Sequence, residues 1–117
     1  MTEVYLGTLA ELAAGATRGY QAAPDLSVFA VRHNDEVHVY RNLCPHAGTE
    51  LNWMPDKFLD RDREYIQCSS HGALFEINTG LCIAGPCGGQ HLDKLPSHVE
   101  DGNIYVHIKN MIEAEKN

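Results

Sequence analysis

Apolar and polar residues alternate only in short bursts along this chain, and turn residues separate the bursts. Ser27-Val28-Phe29-Ala30-Val31-Arg32 and Val37-His38-Val39-Tyr40-Arg41 are β-rich runs either side of Asn34-Asp35, which predicts a hairpin. Asn103-Ile104-Tyr105-Val106-His107-Ile108-Lys109 alternates inward and outward after an Asp101-Gly102 turn. Val4-Tyr5-Leu6 predicts a first short strand. Glu64-Tyr65-Ile66-Gln67 and Ala73-Leu74-Phe75-Glu76-Ile77 predict two more, with Asn78-Thr79-Gly80 as a turn. Thr8-Leu9-Ala10-Glu11 fits a capping box ahead of the Ala-rich stretch Leu9–Ala14, so one short helical turn is expected, with Gly15 as its stop. Frequent short strands with turn signals predict an all-β fold, a sandwich or a partly open barrel. His38 and His107 fall within strands and read as solvent-facing or satisfied strand residues rather than ligands. The tail, Met111–Asn117, is polar and is expected to fray or to be weakly helical.

Composition narrows the class. At 117 residues the chain fits one domain, and its 44% hydrophobic share supports a modest core. Nine Lys+Arg against 16 Asp+Glu give a formal net charge of −7. That balance disfavours nucleic acid, which needs clustered cations, and favours a partner with a basic docking face. No run approaches the apolar length of a membrane span, and no basic region precedes the first apolar stretch, so a soluble cytoplasmic protein is expected.

Chemistry concentrates in two short segments. Cys44-Pro45-His46 is followed, after 21 residues, by Cys68-Ser69-Ser70-His71. Each segment holds a thiolate and an imidazole within one turn, and the two together offer two sulfur and two nitrogen ligands. A tetrahedral zinc accepts that set. So does a [2Fe–2S] cluster in which two histidines replace two cysteines on one iron. Zinc fingers usually pair cysteine with cysteine and histidine with histidine, whereas here each half carries one of each, which suits the cluster better. Gly72 follows the second pair directly, where backbone must fold close to an inorganic core, and Gly85-Pro86 lies in a Gly-rich loop further on.

Leu43-Cys44-Pro45-His46, Cys68-Ser69-Ser70-His71-Gly72 and Gly85-Pro86 together resemble the Rieske [2Fe–2S] family. The match runs from about Arg41 to Pro86, and the flanking strands extend it over most of the chain. The resemblance implies an all-β fold, an antiparallel β-sheet base domain with an inserted cluster-binding subdomain. Residues 1–110 would form that domain, with the subdomain at about 41–86 and the tail at 111–117. By the same resemblance Cys44 and Cys68 ligate one iron through sulfur. His46 and His71 ligate the other through Nδ1, with Nε2 left near the surface to meet a partner.

Departures from subgroup patterns bear on the role. High-potential members carry a further cysteine in each ligand loop, joined as a disulfide; the matching positions here are Thr49 and Ser70. They also place a Ser hydroxyl on a cluster sulfide and a Tyr hydroxyl on a ligand sulfur, where this chain has Ala73 and Phe75. Fewer hydrogen bonds to sulfur predict a low potential, around −150 mV. The chain is too short for the mononuclear-iron domain of a Rieske oxygenase. The resemblance therefore implies an electron carrier rather than an enzyme, a monomeric ferredoxin passing electrons from a flavin reductase to a terminal oxygenase. A small subunit or accessory of a reductase such as nitrite reductase is the alternative within the family. A zinc-binding interaction module, or a sensor responding to cluster loss, is the alternative outside it. Trp53, Met54 and Phe58 read as core, with an exposed docking ridge as the alternative. Asp60-Arg61-Asp62-Arg63 reads as a solvated turn. Cys82 and Cys87 read as two small buried thiols, with a local disulfide bracing the Gly85-Pro86 loop as the alternative.

Overall fold

The computed structural model describes residues 2–45, 49–52, 54–69 and 72–108. His46, His71, Ser70, Trp53 and the 111–117 tail lie outside the described residues. The described chain is almost entirely antiparallel β-structure. Ten strands run in order: β1 (Thr2–Thr8), β2 (Thr17–Ala23), β3 (Leu26–His33), β4 (Glu36–Arg41), β5 (Tyr65–Gln67), β6 (Leu74–Glu76), β7 (Cys82–Ala84), β8 (Lys94–Leu95), β9 (Ser97–Glu100) and β10 (Asn103–Ile108). They make three sheets with strand orders β1-β10-β9, β2-β3-β4-β8 and β5-β6-β7.

The local reasons are legible in residues. Asn34 and Asp35 sit at φ 51° and 62°, the left-handed pair of a two-residue turn, and His33 faces Glu36 across it. Asp101 and Gly102 do the same between β9 and β10. The expected helical turn is a single 3-10 turn, Leu9–Glu11, where the Glu11 carboxylate accepts from the Thr8 amide (2.9 Å) and hydroxyl (3.0 Å).

The middle sheet is covered on both faces. Val28, Ala30 and Val39 pack one way, with Ile104, Val106 and Ile108 of β10 and with Leu12. Phe29, Val31 and Tyr40 pack the other way, with Ile66, Phe75 and the cysteines. A strand buried on both sides needs a continuous apolar run, and β3 supplies one from Val28 to Val31. β10 faces solvent on its other side, so it keeps the strict alternation seen in its sequence.

The segment between the two Cys/His motifs docks on β2. Asp56 accepts from the Gly19 amide through Oδ1 and from the Thr17 hydroxyl through its carbonyl, both at 2.7 Å. Phe58 is buried and stacks on Phe29, ring centroids 4.3 Å apart and nearly parallel. Its ring lies against Gly19, with Cζ 3.5 Å from where a Cβ would stand, an ordinary van der Waals contact. Burial of that ring contributes about 1.5–3 kcal/mol. The core reading thus holds for Phe58, whereas Met54 is 48% exposed. Asp60–Arg63 forms the expected turn, closed by the Asp60 carboxylate accepting from the Glu64 and Tyr65 amides.

Candidate metal centre

Cys44 lies three residues beyond β4, and Cys68 directly follows β5. Both are about 99% buried and belong to the same hydrophobic cluster. Their loops close in the same way. The Cys44 amide donates to the carbonyl of Thr49 (2.8 Å), and the Cys68 amide donates to that of Ala73 (2.9 Å), each five residues on. The Gly72 amide tightens the second loop by donating to the Cys68 carbonyl (3.0 Å). The Ser69 amide donates to the Leu51 carbonyl (2.9 Å), so the two loops are tied directly to each other.

Buried Asn42 fixes the base of the first loop. Its Oδ1 accepts from the Leu51 amide (2.8 Å), its Nδ2 donates to Asn52 Oδ1 (3.0 Å), and its own amide donates to Ser27 in β3. Sequence reasoning passed over this residue. The available signal was a lone amide side chain at the end of a buried strand, two residues before a candidate ligand.

The third loop closes on the second. Gly85 adopts φ 97° and approaches Ala73 so closely that a Cβ there would stand 2.9 Å from Ala73 Cα. Only glycine meets both conditions. Cys82 and Cys87 are disulfide-bonded across this loop. That corrects the reading of two separate thiols: the chain turns back between them, bringing their Cα atoms to 5.9 Å. The Cys82 amide also donates to the Gln90 carbonyl (2.8 Å). The buried Tyr40 hydroxyl donates to the Ile77 carbonyl (2.5 Å). Burial first, and then the Glu76 carboxylate, push its pKa well above the ordinary tyrosine value.

Cys44 and Cys68 take no part in the disulfide. Two buried thiols in one hydrophobic cluster, on segments bonded to each other, fit a site for a soft-ligand metal, zinc or an iron–sulfur centre. The positions that would place hydroxyls near it, Ala73 and Phe75, are buried apolar groups. His38 is not part of this arrangement, and the strand reading holds only in part. It is buried rather than solvent-facing, and Lys94 Nζ donates to its Nδ1 (3.1 Å) while Nε2 has no partner. Burial and then the Lys94 ammonium lower its pKa below 6.5.

Comparison with known proteins agrees with this geometry. The family description "Rieske [2Fe-2S] domain" fits residues 2–105. The chain is 27% identical over 108 residues to the 3-phenylpropionate/cinnamic acid dioxygenase ferredoxin subunit of Photorhabdus laumondii, spanning 92% of this chain and 96% of that one. Its structure is similar to the ferredoxin of carbazole 1,9a-dioxygenase from Nocardioides aromaticivorans, with a TM-score of 0.76 and 28% identity, over 93% of this chain and 100% of that one. It is also similar to the Sphingomonas yanoikuyae B1 ferredoxin, with a TM-score of 0.75 and 25% identity, over 92% and 100%. Of the two metal sites that the donor set left open, the family decides for the cluster over zinc. The chain therefore belongs to the Rieske [2Fe–2S] domain family, and its cofactor is a [2Fe–2S] cluster.

Proposed function

We propose that this chain is a one-electron carrier, the ferredoxin component of an oxygenase system, taking electrons from a flavin reductase and delivering them to a terminal oxygenase. The observation that carries this reading is the end-to-end match to proteins that are ferredoxin components. Cys44 and Cys68 would hold one iron of the cluster, and His46 and His71 the other. Residues 1–110 would form the Rieske domain, with the cluster-binding part at about 41–86 inserted between β4 and β8.

The bound cluster supplies a centre that takes up and gives back a single electron. The chain's own residues supply the rest. The paired loops hold two sulfurs in a fixed, dry setting, which limits rearrangement when the charge changes. Gly85 and the disulfide keep the third loop against Ala73, which shields the second ligand loop from water. No helix among the described residues is long and apolar enough to cross a membrane. We read the carrier as a cytoplasmic monomer.

The test is reconstitution with a flavin reductase and a terminal oxygenase of the aromatic-ring type. Adding the cluster-loaded chain should raise oxygenase turnover at least about tenfold over reductase and oxygenase alone. The stimulation should weaken as salt rises, because a net charge of −7 favours a basic partner face. Turnover that does not depend on the chain with any such pair would overturn the proposal.

A further inference from the structure

The outer face of the β1-β10-β9 sheet carries a cluster of ligating groups that the redox centre does not use. Glu3 stands opposite His107 in the β1–β10 register, and His98 stands opposite Tyr105 in the β9–β10 register. Tyr105 and His107 share the face of β10 that points away from Ile104, Val106 and Ile108. Three neighbouring strands thus bring a carboxylate and two imidazoles together. One ligand atom from each of Glu3, His98 and His107 lies within 4.8 Å of the others. His98 Nδ1 and His107 Nε2 face each other at 2.8 Å. The His98 ring is held by stacking on Tyr105, centroids 5.1 Å apart and 18° from parallel.

We propose that Glu3, His98 and His107 form a second metal site, suited to a divalent first-row ion such as Zn²⁺. Imidazole and carboxylate are the donors that such ions prefer, and a set of two His and one Glu leaves a fourth position for water. Zinc–ligand bonds of about 2.0–2.1 Å place tetrahedral ligand atoms roughly 3.4 Å apart. The facing nitrogens need to open by only about half an ångström to reach that spacing. A ligating histidine is normally oriented by a carboxylate on its other nitrogen. Glu100 Oε2 lies 3.9 Å from His98 Nε2, an ion-pair distance that would have to close by about 1 Å for it to take that role. The net charge of −7 favours a cation anywhere on the surface, but only here do the described residues bring three such donors together. Bound metal would clamp the first strand, β1, to β10 and β9. The site lies outside the Cys/His loops and does not depend on the reading of the redox centre.

The test uses the cluster-loaded protein, titrated calorimetrically with Zn²⁺ while the visible absorption of the cluster is followed. We expect one ion per chain with a dissociation constant of about 10 µM or below, no change in cluster absorption, and a Tm several degrees higher at saturation. His98→Gln and His107→Gln should each weaken binding by at least about tenfold and abolish the rise in Tm. Glu3 is exposed, so Glu3→Gln is a variant that keeps the fold, and it should weaken binding several-fold. No binding below about 1 mM, or binding equal in wild type and all three variants, would overturn the site and leave an ordinary hydrogen bond between two imidazoles.

Discussion

Ala73 and Phe75 stand where the high-potential subgroup is expected to aim hydroxyls at sulfur, and both positions are buried and apolar. One hydrogen bond is worth about 1–1.5 kcal/mol, which for a one-electron couple corresponds to roughly 50 mV. Ala73→Ser should therefore raise the reduction potential by tens of millivolts from a wild-type value near the low end of the family range, around −150 mV. A redox titration reads both numbers, and a wild-type potential above about +100 mV would sink the low-potential assignment. His38 gives a second prediction at this scale. Its pKa is lowered in the folded chain, by burial and then by Lys94, with Glu36 opposing and His33 adding to the shift. The unfolded chain then binds the proton first. The contribution to stability is complete above about pH 6.5 and is lost as pH falls through that value toward the lowered one. Chemical denaturation at pH about 7.5 and about 5.5 should show a smaller acid loss in His38→Gln than in wild type. Equal losses would contradict it. Cys44, His46, Cys68 and His71 stand out in the sequence as candidates because the chemistry needs those residue types within one turn. Asn42 was not, because its task is to hold backbone, and nothing in its neighbours along the chain shows which backbone that is.

Among the elements, those whose apolar side faces one way were the easiest to read. β10 alternates because one face is wet, and its sequence says so. β2 escaped notice because almost all of its residues are half-buried and Gly19 interrupts it. It pairs with β3 across a short turn, and it also holds the Asp56–Phe58 segment, 37 or more residues away, which no local pattern announces. The third loop shows the same limit. Gly85-Pro86 marked it as rigid, but the bond between Cys82 and Cys87 depends on where the chain turns back. Closing so short a loop stabilises by about 2 kcal/mol on chain-entropy grounds. Replacing both cysteines by serine should lower Tm by about 5–10 °C and speed loss of the cluster's visible absorption on warming. An unchanged Tm would mean that the Gly85–Ala73 contact holds the loop unaided. Thiol counting on the denatured wild type without reductant should find two reactive thiols from Cys44 and Cys68 once the iron is chelated.

For the molecule as a whole, the three layers divide the work. The β1-β10-β9 sheet and the β2-β3-β4-β8 sheet enclose one apolar cluster, and the middle sheet shares the other with the loops that carry Cys44 and Cys68. The all-β class was legible from turn spacing. The layering was not, because it depends on which face of β3 meets which neighbour. The central claim is a [2Fe–2S] cluster held by two cysteines and two histidines, and electron paramagnetic resonance of the dithionite-reduced protein tests it most directly, with iron and sulfide analysis alongside. The account predicts a rhombic signal with average g near about 1.9 and about two irons and two sulfides per chain, all lost in Cys44→Ser and Cys68→Ser. A silent spectrum after anaerobic reconstitution, with iron and sulfide absent from wild type as from the variants, would contradict it.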